Sequence, residues 1–294
     1  MASLRVFSFS HCSISSSHLR CARFASASYS KPHPLRRLAS TMSLPRDIKE
    51  FLEGYPRLPD NPKLNANFEF YSNKLRCRPD NLYIDELHRQ WQGDYSKLEY
   101  KHGFIQWLFP IQEDGVNHEA QRLQKHEITA MKSDAAVMRR LQRSYTMMLD
   151  FYGMQLVSQD TGELRRTDNW AERYRNLSRA THNNLRISRI LKCLSEFGLE
   201  HLNAGFLLFV LAEQSENDQL NTLAIRSSMD RWWINCLRNE EERDWIGDVV
   251  EMVRTEPDFV FTDEAYRAAL KRRADTGSFK ETTEEGTEET TGDA

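Results

Sequence analysis

Two pairs of an acid and a histidine are the residues of this sequence whose types and spacing could do metal chemistry. Asp85 lies three residues before His88, and Glu99 lies three residues before His102. On an α-helix, residues three positions apart share one face, so each pair could present a carboxylate and an imidazole together, as in half of a di-iron carboxylate site. A complete site needs further inward carboxylates, and the available candidates are Glu119, Glu127 and Glu200. The sequence thus allows, as one alternative, a metal-dependent helical-bundle enzyme.

The histidines also have a purely structural interpretation. His102 falls on an apolar stripe of its predicted helix, where a histidine that hydrogen-bonds a nearby carboxylate is a common way to satisfy a buried ring. Spacing alone does not impose the four-ligand geometry that such a metal site requires. We therefore favour the structural interpretation, predict no metal and no other cofactor, and expect a protein that is not an enzyme.

A basic row could instead neutralise phosphates. Arg186, Arg189 and Lys192 are spaced three residues apart at the end of a segment, 165–192, that holds eight Arg or Lys residues and only two acids. Such a row is one signature of nucleic-acid binding. The same spacing is typical of a solvated helix face that lies opposite a core stripe, and this is the interpretation we favour. Association with nucleic acid is kept as a second alternative.

Aromatic residues close to the histidines could line a pocket for a peptide or a small molecule, because aromatic anchors dominate recognition when a groove leaves them accessible. The helical spacing of these aromatic residues favours core packing for most of them. The candidate ligand-binding residues are His88, Trp91, His102 and Trp107.

The elements that would position these residues are helical almost throughout residues 44–273. Apolar residues recur at spacings of three and four, and the sequence shows no repeat, so the predicted fold is all-α, a non-repetitive helical bundle. One helix is predicted over about 94–109 and is ended by Pro110. A later helical segment is predicted to divide at Ser133 or Asp134. The stretch "QLVSQDTGELRRTD" is predicted to form an irregular loop or a small hairpin.

The two ends have compositions unlike that of a folded domain. Residues 1–46 contain no Asp or Glu and carry seven Arg or Lys among many serines, which is typical of a mitochondrial or plastid transit peptide or of a disordered leader. A third interpretation is that the true start is Met42. Residues 274–294 are acidic and nearly free of large apolar groups, which predicts a disordered, solvated tail. The predicted helical domain therefore covers residues 47–273.

Composition places the chain among globular proteins, since 39% of its residues are hydrophobic and 28% are charged. A formal net charge of −3 gives no indication of a nucleic-acid or anionic-membrane partner for the chain as a whole. No apolar run approaches the roughly 18 to 20 residues of a spanning helix, although peripheral membrane association is compatible with the sequence. The five cysteines include no C-x-x-C pair, which favours free thiols in a reducing compartment.

Four stretches of the sequence carry a resemblance that covers about residues 67–213. They are "NFEFYSNKL", "PDNLYIDELHRQWQGDYSKLEYKHGFIQWLFPIQEDGVN", "SYTMMLDFYG" and "HNNLRISRILKCLSEFGLEHL". Together they resemble the conserved domain of the opioid growth factor receptor family. The strings "HGFIQWLFP" and "NNLRISRILK" are long and unusual, which makes the match specific.

The resemblance implies a non-enzymatic binding protein whose partner is an enkephalin-type peptide or a protein. It also implies negative regulation of cell growth, and a location in the nucleus or perinuclear cytoplasm with membrane association. The acid-free N-terminus gives the mitochondrion as the alternative location. The family's receptor members carry long C-terminal regions, whereas this sequence shows a short acidic tail. No ligand-contact motif of the family can be carried over, so the resemblance assigns no site residue.

Overall fold

The fold is all-α apart from one small hairpin in the computed structural model, which describes residues 44–281. The first seven helices are α1 (Arg46–Leu52), α2 (Ala66–Tyr71), α3 (Ile84–Trp91), α4 (Tyr95–Tyr100), α5 (Phe104–Leu108), α6 (Lys125–Ser133) and α7 (Ala135–Phe151). The hairpin strands β1 (Met154–Leu156) and β2 (Leu164–Arg166) follow. The remaining helices are α8 (Trp170–Arg179), α9 (His182–Glu196), α10 (Glu200–Ser215), α11 (Leu223–Arg231), a 3-10 helix (Trp233–Cys236), α12 (Glu240–Thr255) and α13 (Asp263–Thr276). The predicted fold class is confirmed.

Helix α10 forms the centre of the fold. Every residue from 202 to 214 is buried, and a helix buried on all sides must be enclosed by other elements. Here α9, α12, α13, the 3-10 helix and β2 pack around it. The buried apolar side chains join one continuous core that runs from Ile48 to Phe279. Within residues 44–281, no helix combines the length and the apolar character needed to cross a bilayer.

The hairpin occupies the stretch for which a loop or hairpin was predicted. Its strands pair antiparallel, with Met154 opposite Arg166. The turn at Gly162 has a φ of +79° and approaches α10 so closely that a Cβ on Gly205 would meet the Gly162 carbonyl oxygen at 2.0 Å. Glycine is therefore required at both positions, because only a residue without a Cβ permits this approach.

The predicted continuous helix over 94–109 is wrong. Helix α4 ends at Tyr100, the backbone of Lys101 is extended with a ψ of 137°, and α5 begins only at Phe104. His102 therefore lies in the break and is exposed, whereas the sequence pattern placed it on a buried stripe. Pro110 follows α5, which ends at Leu108, so the predicted end of the helical segment is confirmed to within a residue.

The predicted division at Ser133 or Asp134 is confirmed. Helix α6 ends at Ser133, and the Asp134 carboxylate accepts hydrogen bonds from the backbone N–H groups of Ala136 and Val137 at 2.8 and 3.2 Å. An acid at this N-cap position satisfies N–H groups that have no partner within the helix. The division is thus a property of the local sequence.

The predicted terminal extensions fall largely outside the described residues, and so does the localisation signal that residues 1–46 could carry. At the other end, α13 runs to Thr276, three residues beyond the predicted domain boundary at 273. Phe279 is buried and stacks on Trp245 with ring centroids 4.8 Å apart. The packed part of the chain therefore extends into the first residues of the predicted tail.

Trp107 tests the core interpretation of the aromatic residues. Its ring is 3% exposed, packs against Phe70 at 5.3 Å and donates from Nε1 to the Arg78 carbonyl oxygen at 3.0 Å. We expect Trp107→Ala to lower the free energy of unfolding by about 3 to 5 kcal/mol, because it leaves a cavity in the core.

Chemical denaturation of the purified chain measures this loss, with Tyr100→Ala as the control. Tyr100 is an exposed aromatic residue at the end of α4, so its truncation should change stability by about 0.5 kcal/mol or less. Equal effects of the two substitutions would contradict the core interpretation of Trp107.

Candidate functional site

The basic row of α9 (Arg186, Arg189 and Lys192) points into the protein. Arg186 is 5% exposed, and its guanidinium donates to the carbonyl oxygens of Leu98 at 2.9 Å and Lys101 at 2.7 Å. It also contacts the Glu99 carbonyl oxygen at 3.3 Å and Nδ1 of His102 at 3.1 Å. These carbonyls belong to the last turn of α4 and the break after it, where no intrahelical N–H is available. Arg186 therefore holds the end of α4.

The other two members of the basic row hold the chain beyond α5. Arg189 Nε donates to the Phe109 carbonyl oxygen at 2.8 Å, and Lys192 Nζ lies 2.7 Å from Glu113 and 2.9 Å from Asp47. Lys192 is 3% exposed. Burial alone would lower its pKa, but the carboxylates of Glu113 and Asp47 together outweigh this effect and the pKa is raised. Lys192 therefore remains a cation inside the fold.

Both sequence interpretations of the basic row are corrected by these contacts. The row is not a solvated face, because two of its three side chains are buried and all three bind named groups of the chain. Nor are these charges available to neutralise phosphates, since they already bind carbonyls and carboxylates. Their role in the structure is to attach residues 98–113 to α9.

The first predicted acid–histidine pair separates in the structure. The Asp85 carboxylate accepts two hydrogen bonds from Arg140, both at 2.9 Å, and these bonds lower the pKa of Asp85. His88 is fully buried, and its Nε2 lies 2.8 Å from the hydroxyl oxygen of Ser144. The Asp85 carboxylate and the His88 imidazole therefore bind different residues of α7.

The second predicted pair lies on either side of the break after α4. Glu99 accepts from Asn176 at 2.7 Å and lies 2.8 Å from Nε2 of His182. Nδ1 of His102 instead contacts the Arg186 guanidinium, and the His102 ring packs edge-on against His182 with ring centroids 5.4 Å apart. Because the Arg186 guanidinium lies on Nδ1 of His102, this nitrogen is not free to bind a metal ion.

The additional carboxylates do not complete a metal site either. Glu127 is fully buried and accepts from the backbone N–H groups of Asn67, Phe68 and Gln124, so it caps α2 and its own helix α6. Glu119 is exposed, and Glu200 accepts from the backbone N–H of Arg238. Among residues 44–281, no three His, Cys, Asp or Glu side chains are grouped so that they could hold a metal ion.

Most of the predicted ligand-binding residues are interior packing groups. His88 and Trp107 are buried as described above, and Trp91 is 3% exposed with its ring edge-on to Phe104 at 5.3 Å. Only His102 is exposed. The structure does not bring these four residues together at an open surface.

An open cleft lies elsewhere, where the end of α10, the start of α11 and the end of α12 meet. Its volume is about 280 Å³. It is lined by Gln214, Ser215, Asn221, Arg226, Val253, Arg254, Thr255, Glu256, Pro257, Phe259 and Val260. We call this site the α11 cleft. A second, closed void of about 10 Å³ between α7, α9 and α10 has an entirely apolar lining and room for about one water molecule.

One wall of the α11 cleft is fixed by hydrogen bonds. Gln214 accepts from Arg254 at 2.6 Å and donates to the Leu220 carbonyl oxygen at 3.0 Å. Arg254 also binds the carboxylate of Asp230, at 3.1 and 3.3 Å. The end of α10, the loop after it and the last turn of α12 are thereby joined, which gives the cleft a preformed shape.

The loop after α10 is strained beside this wall. Leu220 has a φ of +52°, in the left-handed region that costs a residue with a Cβ roughly 1 to 3 kcal/mol. Its side chain is buried, and its carbonyl is held by Gln214. Strain of this kind persists where the surroundings enforce it and clusters at ligand-binding sites.

The lining of the cleft includes two charged side chains, those of Arg226 and Glu256. No ion pair joins the side chain of Arg226 or of Glu256 to another residue in the part of the chain that the structure describes. Beside them, Phe259 is partly exposed and Val260 is 50% exposed. The cleft therefore offers a cation, an anion and an apolar surface to a binding partner.

Sequence reasoning missed these residues because nothing in their spacing is unusual. The sequence predicts a helical segment from Ser227 to Phe261, whereas α12 ends at Thr255 and a loop leads from there to α13. The partial signal was the pair of apolar residues Phe259 and Val260 shortly after Pro257.

Comparison with known proteins gives a consistent result. A family model described as "Opioid growth factor receptor (OGFr) conserved region" matches residues 60–267. Opioid growth factor receptor-like protein 1 of Mus musculus is 38% identical over 200 residues, which cover 67% of this chain and 42% of that protein. The opioid growth factor receptor of Homo sapiens is 41% identical over 200 residues, which cover 67% of this chain and 29% of that receptor. The match thus spans less than half the length of these relatives. No solved structure matches the chain.

The attachment of α4 to α9 can be tested with Arg186→Met. This substitution keeps an apolar stem but removes every donor, which leaves the carbonyls of Leu98 and Lys101 without their partner. We expect the free energy of unfolding to fall by about 2 to 4 kcal/mol. The matched control is Arg179→Met at the exposed end of α8, which should leave stability within about 0.5 kcal/mol of wild type. A neutral Arg186→Met variant would refute the inward role of this arginine.

The burial of His88 predicts a dependence of stability on pH. Burial, together with the positive charge of Arg143, lowers the pKa of His88 from 6.5 to about 4. Between these values the unfolded chain binds a proton that the folded chain does not. The free energy of unfolding therefore falls as the pH falls from about 6.5 to about 4. His88 alone contributes on the order of 3 kcal/mol to this fall.

The contribution of His88 is isolated by comparing wild type with His88→Gln. The glutamine can still meet the Ser144 hydroxyl but does not titrate. We expect the stability difference between wild type and variant, measured by denaturation at pH 7 and at pH 4, to shift in favour of the variant at pH 4. A difference that does not change with pH would contradict a lowered pKa at His88.

Proposed function

This chain belongs to the opioid growth factor receptor (OGFr) conserved-region family, and on that premise we propose that it is a non-catalytic protein that binds a short peptide in the α11 cleft. The observation that carries the proposal is the cleft itself, which is open, preformed and lined by both unused charges and apolar side chains. The names of the relatives indicate the kind of function, because one is called an opioid growth factor receptor and another an opioid growth factor receptor-like protein.

The size and lining of the cleft fit a few peptide residues. Its volume of about 280 Å³ is slightly below the range of ligand pockets, roughly 300 to 1,000 Å³. Val253, Phe259 and Val260 provide an apolar surface for a side chain. The Asn221 amide and the Thr255 hydroxyl donate to Asp218 and to the Glu251 carbonyl oxygen, and their oxygens can accept from the N–H groups of a peptide backbone. A mixed lining of this kind is typical of sites that orient a ligand by a few polar contacts.

The chemistry of the lining supports binding in preference to catalysis. Its polar groups are amides, hydroxyls, two guanidinium groups and one carboxylate. The guanidinium groups stay protonated at all physiological pH values, so they donate hydrogen bonds and do not transfer protons. The Ser215 hydroxyl already accepts from the Phe261 backbone N–H at 2.8 Å, which occupies it structurally.

An enkephalin-type peptide is the ligand that the family resemblance implies, and its chemistry suits the cleft. Such a peptide has a charged amine, a charged carboxylate and two aromatic rings within five residues. The cleft offers Glu256, Arg226 and the apolar residues Phe259 and Val260. Negative regulation of cell growth belongs to the same proposal, as the consequence of this binding.

Binding in the cleft predicts a selective effect of Val260→Arg. Val260 is 50% exposed, so the longer side chain can be accommodated without disturbing the core while it fills the open cleft. Titration calorimetry with methionine-enkephalin should detect binding to wild type and a loss of at least about tenfold in affinity for the variant. The matched control is Val116→Arg, at a valine that is 85% exposed and lies outside the cleft, which should bind as wild type does.

Two outcomes would contradict the proposal. If wild type does not bind the peptide in the range that calorimetry detects, this ligand is wrong for this chain. If both valine variants bind as well as wild type, the site is elsewhere. The proposed growth role is tested with the same pair, since cells that carry Val260→Arg should lose any effect on proliferation that cells with Val116→Arg retain.

A further inference from the structure

We propose that Arg226 recognises the free C-terminal carboxylate of the peptide in the α11 cleft. This inference rests on the proposed function, which it deepens by naming the end of the peptide that is recognised and the residue that recognises it. It does not depend on the identity of the peptide's side chains.

Arg226 differs from the other arginine of the cleft in what it binds. Arg254 donates hydrogen bonds to the Asp230 carboxylate and to the Gln214 amide oxygen, and these bonds hold the wall of the cleft together. Arg226 is partly buried in the lining and forms no ion pair with any residue from 44 to 281. A guanidinium that is partly removed from water without an anionic partner gains most from a ligand that supplies one.

The shape of the guanidinium selects the kind of anion. Its planar fork of N–H donors matches a carboxylate in two parallel hydrogen bonds, which a single amide oxygen cannot reproduce. A peptide carries one such group at its C-terminus in every sequence, and capture of a terminal carboxylate is a recurring mode of peptide recognition. The chemistry of the site thus points to a group that all unmodified peptides share.

The size of the cleft favours the end of a peptide over its middle. A volume of about 280 Å³ holds only a few residues, so most of a longer peptide must lie outside the cleft. An internal segment has to leave the cleft at both of its ends, whereas a segment that ends in the cleft has to leave it at one end only.

Glu256 fixes the direction of the bound peptide. It is the other lining charge without an ion pair among the described residues. A peptide carboxylate is attracted to Arg226 and repelled by Glu256, whereas the amine at the other end of a short peptide has the opposite preferences. Since Val253, Phe259 and Val260 line the same cleft, a C-terminal apolar side chain can be covered by them.

The test compares one peptide with its amide on the full-length chain. Tyr-Gly-Gly-Phe-Met is titrated as the free acid and as the C-terminal amide, which has the same side chains but no terminal carboxylate. We expect the free acid to bind wild type at least about tenfold more tightly. The Arg226→Gln variant should bind both forms equally and weakly, and Arg226→Lys should restore part of the preference because it keeps the charge but not the fork.

Two controls make the result specific. Arg139→Gln, at an exposed arginine of α7 outside the cleft, should keep the full preference for the free acid. A third peptide, the amide of Tyr-Gly-Gly-Phe-Glu, carries its carboxylate on a side chain and should bind no better than the methionine amide. The melting temperature of each variant shows that the chain is folded.

The outcomes separate the two proposals. If free acid and amide bind wild type equally, the role of Arg226 is refuted while peptide binding in the cleft stands. If the glutamate amide binds as tightly as the free acid, the recognised carboxylate is not the terminal one, which also overturns the inference. If neither form binds, the proposed function fails and the inference fails with it.

Discussion

The basic row of α9 is the interaction on which the arrangement of the N-terminal half depends. Arg186, Arg189 and Lys192 bind the chain at the end of α4, after α5 and at Glu113. Removing each cation from water costs several kcal/mol unless hydrogen bonds and opposite charges replace the lost hydration. Because the partners are backbone carbonyls and carboxylates at fixed positions, only one placement of residues 98–113 along α9 satisfies all three cations.

Such attachment is needed because the elements concerned are short. Helices α2, α4 and α5 contain only six, six and five residues, and isolated helices of this length do not form in water. Their ends are satisfied from outside: Glu127 caps the start of α2, and Arg186 holds the end of α4. Elsewhere, buried Glu196 and Glu213 bind Arg238 and Arg166 in the same way. Buried charges with definite partners thus fix which helix ends meet.

This rule gives the α11 cleft its significance. Inside the fold, charged side chains are matched: Lys192 meets two carboxylates, and Arg254 meets a carboxylate and an amide. At the cleft, the same chain leaves Arg226 and Glu256 without ion partners among residues 44–281 and holds Leu220 in a strained conformation. The proposed binding site rests on these two charges and on the hydrogen-bonded wall beside them. The cleft and the core therefore differ in whether their charged side chains have ion partners among the described residues.

The sequence by itself determined the all-α fold, the division at Asp134 and the core position of Trp107, because each follows from contacts within a few residues or from apolar periodicity. It also carried the family resemblance. Only the tertiary structure decided that Arg186 faces inward, that His88 and Asp85 have separate partners, that the helix breaks before Phe104, and that Arg226 lies at a cleft. The reason is that periodicity tells where a residue lies on its own helix, whereas the partner of a buried polar side chain is supplied by a segment more than fifty residues away, as Leu98 is for Arg186 and Ser144 is for His88.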